Sequence, residues 1–221
     1  MIPPGDSISS SNFLLRFEAA SRTVIDNAQM LSELDMIGDA DFGVNISRGF
    51  ERVLEEFRTL KGQDPDIGTL LTKAGEVFVF EVGSTIGGLI GRAFQKGGKA
   101  LLDERQMSAQ DFVALLECMV TTIREIGHAQ PGDKTMIDAL EPAYRVATAA
   151  VKSGITDVRR ILTMSASAAE QGSCSTARMV SKIGRASYIG ERSRGTVDPG
   201  AKFISLFLGA MAVEPRRAID R

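Results

Sequence analysis

The chain has few cysteines, a single histidine, no surplus of positive charge and no long apolar run, and these shortages exclude whole classes of protein. Its 2 cysteines, Cys118 and Cys174, cannot build a disulfide framework. Cys118 falls in the apolar stretch FVALLECMV, where a thiol reads as a small buried hydrophobe. A reducing, cytoplasmic setting is the expectation. The formal net charge of -2 argues against a general nucleic-acid binder, which carries a basic excess. No segment approaches the roughly 20 apolar residues that span a bilayer, and MIPPGDSISSSN lacks the basic stretch and apolar core of a secretion signal. Neither nucleic acid nor membrane is expected as a direct partner.

What is present is an ordinary globular composition, 43% hydrophobic and 24% charged over 221 residues, enough for one large domain with a substantial core. Apolar residues recur at helical spacing: Leu14, Phe17, Val24, Ala28 and Leu31; Phe50, Val53, Leu54, Phe57 and Leu60; Phe112, Leu115, Leu116, Met119 and Ile123. Further helices are expected over 87–104, 134–152, 157–181 and 199–212, punctuated by a Ser108 to Asp111 cap pattern, Gly154 and a first-turn Pro199. GEVFVFEVG at 75–83 has strand-like composition but no partner strand elsewhere, so it too reads as helix. Pro142 is expected to end or kink the helix that begins near Lys134. With no internal repeat and no linker of disordered composition, the chain reads as a single all-α domain of seven or eight helices.

Four segments between these helices have chemistry of their own. Asp35, Asp39 and Asp41 crowd a glycine-containing turn; alone they read as helix punctuation or as oxygen ligands for a hard cation. Gly83-Ser84-Thr85-Ile86-Gly87-Gly88 offers hydroxyls and free N–H groups at a helix start, which suits an anion or a tight turn. Gly127 to Met136 reads as a loop entering a helix with Asp133 as its cap, and His128 as a surface residue. Between 178 and 194 the chain places Arg178, Lys182, Arg185, Arg192 and Arg194 against Glu191 alone, concentrating positive charge in a glycine-containing loop. Asp198-Pro199-Gly200 then starts a helix whose positive end faces the same way.

KIGRASYIGERS at 182–193 with DPGA at 198–201, GDADFGVN at 38–45 and PGDKTM at 131–136 resemble, in order, the signature segments of the nucleotide-binding L subunit of bacterial dihydroxyacetone kinase. The likeness runs from about Leu14 to Ala212. It implies an antiparallel eight-helix barrel with the nucleotide site at one end, spanning 13–213 between an N-terminal tail (1–12) and a C-terminal tail (214–221). It implies that Asp35, Asp39 and Asp41 hold two Mg²⁺ ions against the phosphates of ADP or ATP. Phe42, Gly43, Asn45, Ser84 and Thr85 then fall near the phosphates, Gly127, Thr135 and Met136 near base or ribose, and Asp198, Pro199 and Gly200 beside the nucleoside. Arg185 becomes the catalytic phosphate ligand, Glu191 and Arg192 lock the loop to itself, and Arg194 is solvated.

The implied activity is phosphoryl transfer to dihydroxyacetone, or a related short keto-sugar, held on a histidine of a partner K subunit. A phosphotransferase-system donor subunit and a transcription regulator are further partners within the family, and a homodimer stays open. Three residues rather than four separate Asp35 from Asp39, Ile86 stands where serine is usual, and Phe42 where histidine is frequent. These departures keep open a degenerate nucleotide-binding regulatory subunit. The ATP-binding domain of fatty-acid kinases shares the aspartate motif, but the KIGRASYIGERS loop speaks against it.

Overall fold

The computed structural model describes residues 6–36, 38–60 and 62–215. Nine α-helices form among them: α1 (Ser10–Asp26), α2 (Ala28–Leu34), α3 (Phe42–Thr59), α4 (Ile67–Glu81), α5 (Thr85–Ala100), α6 (Ala109–Gly127), α7 (Ile137–Lys152), α8 (Val158–Ser175) and α9 (Pro199–Ala212). Eight are long and α2 has 7 residues. Side-chain caps start most of them. Ser9, Asp66, Ser84, Asp157 and Asp198 each accept a backbone N–H of the first turn, and Ser108 with Asp111 makes a reciprocal capping box on α6.

Each long helix packs on the next, and α9 returns to α1, so the eight close into an antiparallel ring. Alternation then sorts the connections. Those at 35–41, 82–84, 128–136 and 176–198 meet at one end; those near 60–66, 101–108 and 153–157 meet at the other. The expected stripes face the interior, with Phe17 at its centre. Its ring centroid lies 5.1 Å from Phe207, 5.3 Å from Phe57 and 5.5 Å from Phe94. Offset and edge contacts of this kind add to area burial. Phe17→Ala should therefore cost about 3–5 kcal/mol in urea unfolding; a loss below about 1 kcal/mol would mean that the neighbouring rings refill the space.

The structure departs from the sequence expectation at several points. The stretch expected as an N-terminal tail, 1–12, is docked where it is described: Ile8–Ser9 (β1) pairs antiparallel with Gln106–Met107 (β2), Ile8 is fully buried, and α1 already begins at Ser10. At the other terminus Glu214 ion-pairs with Arg16, whose guanidinium is buried and also donates to the Met211 and Val213 carbonyls. Residues 216–221 of the expected C-terminal tail lie outside the described residues. Pro142 does not end its helix, because α7 starts at Ile137 and runs ten residues beyond it to Lys152. The only ladder bond it removes is to the Asp138 carbonyl, and Gly172 of α8 packs onto that oxygen so closely that a Cβ there would lie 2.2 Å away. The helix expected over 157–181 stops at Ser175, and 3₁₀ turns cover 176–178 and 185–193. The 75–83 segment, by contrast, is helical as expected, as far as Glu81.

Candidate functional site

The four connections at one end of the ring enclose a cavity of about 330 Å³. Asp35 follows α2 and Asp41 precedes α3, and the turn between them is tightened by Gly38 and Ala40 N–H groups donating to the Asp35 carbonyl. Ala40 takes a left-handed φ of 58°. This turn, rather than a shared helix face, brings one carboxylate oxygen from each of Asp35, Asp39 and Asp41 within 4.8 Å of one another. The short spacing after Asp35 therefore does not exclude it from the cluster. Burial pushes the Asp35 carboxyl up to about 6; the Phe42 N–H at 3.2 Å opposes this, while Asp39 and Asp41 add repulsion. Three carboxylate oxygens this close suit a divalent cation, which would relieve the repulsion on Asp35.

The second wall is the start of α5. Ser84 caps the helix through the Gly87 N–H at 3.5 Å, and Ser84, Thr85 and Ile86 all line the cavity. Next around the ring, the end of α6 and the loop to α7 contribute Gly127, Ala129, Lys134, Thr135 and Met136. Here Asp133 is not the helix cap. Its carboxylate accepts the Gln130 N–H at 2.7 Å, while Asp138, inside α7, accepts the Gly132 and Thr135 N–H groups at 2.5 and 2.8 Å. Met136 is 5% exposed, so it belongs to the core and to the cavity wall at once. His128 is exposed at the left-handed end of α6.

The basic loop closes the fourth side. Arg185 ion-pairs with Asp39, joining the positive loop directly to the acidic cluster. Asp198 caps α9 through the Ala201 N–H at 2.7 Å, with Pro199 in the first turn, and Pro199 and Gly200 line the same cavity. Asp198 opens on the cavity yet lies deep in the protein, and desolvation raises its carboxyl to about 7 against the pull of Lys134. The lock of the loop is Arg194, not Arg192: Arg194 pairs with Glu191 and donates to the Arg178 carbonyl, so it is not a merely solvated side chain.

Phe42 and Asn45 also face the cavity, but Gly43 does not. A Cβ on Gly43 would fall 1.9 Å from the Ala28 carbonyl, so this glycine allows α3 to cross α2 and keeps the aspartate turn in place. Sequence reasoning missed Lys134 altogether. Its signals were its place inside the PGDKTM segment and its long cationic side chain between Asp133 and Thr135, two residues after Gly132.

An all-helical ring with an acidic cluster, an arginine and a helix N-terminus around one end cavity has the form of a phosphate-handling domain. Residues 36–213 match the DAK2 domain, and the chain belongs to that family. It is 33% identical over 187 residues to the ADP-binding subunit DhaL of the PEP-dependent dihydroxyacetone kinase of Escherichia coli, covering 84% of this chain and 88% of that one. It is 31% identical to the L-erythrulose kinase of Pectobacterium atrosepticum, over 88% of this chain and 33% of that one. The crystal structure of the dihydroxyacetone kinase of C. freundii superposes with a TM-score of 0.72 and 25% identity, covering 91% of this chain and 34% of that chain. The relatives named here are kinases or kinase subunits, and the chain is of that type. No helix among the described residues is long and apolar enough to cross a membrane.

Proposed function

We propose that the chain is the nucleotide-binding subunit of a dihydroxyacetone-type kinase, which holds Mg²⁺ with ADP or ATP and delivers a phosphoryl group to a short hydroxy-ketone carried by a substrate-binding partner subunit. The observation that carries this reading is the convergence of Asp35, Asp39, Asp41 and Arg185 on one cavity. When bound, Mg²⁺ neutralises charge on the phosphate oxygens. The three carboxylates present the hard oxygen ligands it requires. Arg185 offers a planar fork to the transferring group, and the free N–H groups of the first turn of α5 offer further donors to phosphate. Leu89, Ile123 and Met136 supply an apolar wall that keeps water from a purine, with Asp198 at its edge.

The single histidine, exposed at the end of α6, is poorly placed to hold a substrate in this cavity, which supports assigning the hydroxy-ketone to a partner. The E. coli relative is called PEP-dependent and ADP-binding, which supports a cycle in which ADP stays bound and is rephosphorylated by a donor subunit.

Metal and phosphates complete each other's coordination, so Mg²⁺ and ADP together should raise the melting temperature of this protein by more than the sum of their separate shifts. Scanning calorimetry at fixed concentrations checks this. Equal and independent shifts would reduce the aspartates to a helix-terminating cluster.

A further inference from the structure

Burying an ammonium is costly unless its N–H groups find acceptors. Lys134 is 4% exposed, and its backbone sits in the left-handed region at φ 60°, which an L-residue adopts only against a steric cost. Its three protons have three carbonyl acceptors: Thr176 at 2.9 Å, Thr196 at 2.5 Å and Met179 at 3.5 Å. None of its bonds goes to a side chain, and among the described residues it makes no ion pair; Asp198 acts on it only at longer range.

The position of those carbonyls gives the arrangement its meaning. Thr176 is where the basic loop leaves α8, and Thr196 is where it returns to α9. The neck of the loop is also closed on itself, by the Gly195 N–H on the Ala177 carbonyl at 2.8 Å and the Asp198 N–H on Thr176 Oγ1 at 2.9 Å. Those bonds fix the shape of the neck but not its place relative to the neighbouring wall. Lys134 does that, since it belongs to the loop that contributes Thr135 and Met136. Further out, Lys182 repeats the tie through Asp133, by its backbone N–H and its Nζ, each at 3.1 Å, in a more exposed setting.

We propose that Lys134 is a positioning residue: by holding both ends of the basic loop against the α6–α7 loop, it sets the separation of the two walls and preforms the nucleoside side of the cavity. The inference rests on the nucleotide-binding reading above. Preorganised walls spare the ligand the cost of ordering them, so loosening the tie should weaken binding without opening the helical ring.

The test compares Lys134→Met with Leu101→Ala, a core truncation at the far end of the ring where Leu101 is 1% exposed. Both should lower the melting temperature. By titration calorimetry, Lys134→Met should weaken Mg²⁺–ADP binding by roughly thirtyfold, the scale on which residues that support a binding site act, while Leu101→Ala stays within twofold of the parent. Lys134→Gln, which keeps two N–H donors on a shorter stem, should recover part of the affinity and serves if the methionine variant does not fold. Unchanged affinity in both Lys134 variants, or an equal loss in Leu101→Ala, would overturn the proposal. If the parent protein bound no nucleotide, the functional reading would fall by itself. Hydrogen exchange would then decide the tie: faster exchange at Gly195 and Asp198 in the Lys134 variants but not in Leu101→Ala supports it, and equal protection overturns it.

Discussion

Arg185→Ala should slow phosphoryl transfer to the partner-held substrate by about a hundredfold or more, the scale on which a single directed donor stabilises charge in a transition state. The fold should not change, because the ion pair with Asp39 is largely solvated, with 66% of the arginine side chain exposed, and exposed pairs contribute little to stability. Arg185→Lys should rescue only partly, since an ammonium is a point charge without the fork that matches two phosphate oxygens. Arg192→Ala is the proper control, for Arg192 is exposed and makes no ion pair among the described residues. Arg194→Ala is not, because it unlocks the loop from Glu191 and the Arg178 carbonyl. Reconstituted transfer assays that found Arg185→Ala as active as the parent would remove the arginine from the mechanism.

Asp39→Asn and Asp41→Asn should each weaken Mg²⁺–ADP binding by about a hundredfold or more, because each removes an anionic ligand from a hard cation and leaves a neutral amide oxygen. Asp35→Asn separates metal binding from stability. The Asp35 carboxyl titrates near 6 in the folded chain, above its ordinary 3.8, so the fold binds this proton more tightly than the unfolded chain does. Its contribution is therefore fully present below about pH 4 and is lost as pH rises through about 6. At pH 7.5 the ionised side chain costs stability, and Asp35→Asn should raise metal-free stability by about 1 kcal/mol; the full shift would convert to more, but the carboxylate is partly open to solvent. Asp198, raised to about 7, works in the same direction. The metal-free protein should thus melt at a higher temperature at pH 5.5 than at pH 8. Scanning calorimetry of the parent and Asp35→Asn across that range checks both signs, and an Asp35→Asn variant less stable than the parent at pH 7.5 would show that the carboxylate is needed for the turn itself.

Helical periodicity in the sequence was enough for the all-α fold and for most helix spans, because the stripe that must be buried is written at i, i+3 and i+4 and the caps are single residues acting on the next turn. Asp198 and the Ser108–Asp111 box needed no tertiary knowledge. The four connections of the site were legible for the same reason: each is a polar, glycine-containing break between apolar stripes. Local pattern by itself could not decide which of those breaks face one another; only the family resemblance implied it. That follows from ring closure, since an even alternation of eight long helices sends every second connection to the same end. Tertiary packing also reassigned individual residues. Gly43 is a crossing point of two helices, Pro142 sits inside α7 with the Asp138 carbonyl packed against Gly172 of α8, and Asp35 reaches its fellow carboxylates through a turn. Lys134 differs from any surface lysine only in the three carbonyls that surround it. Those acceptors come from residues 42 to 62 positions away, a distance at which local pattern has no force and only packing can bring donor and acceptor together.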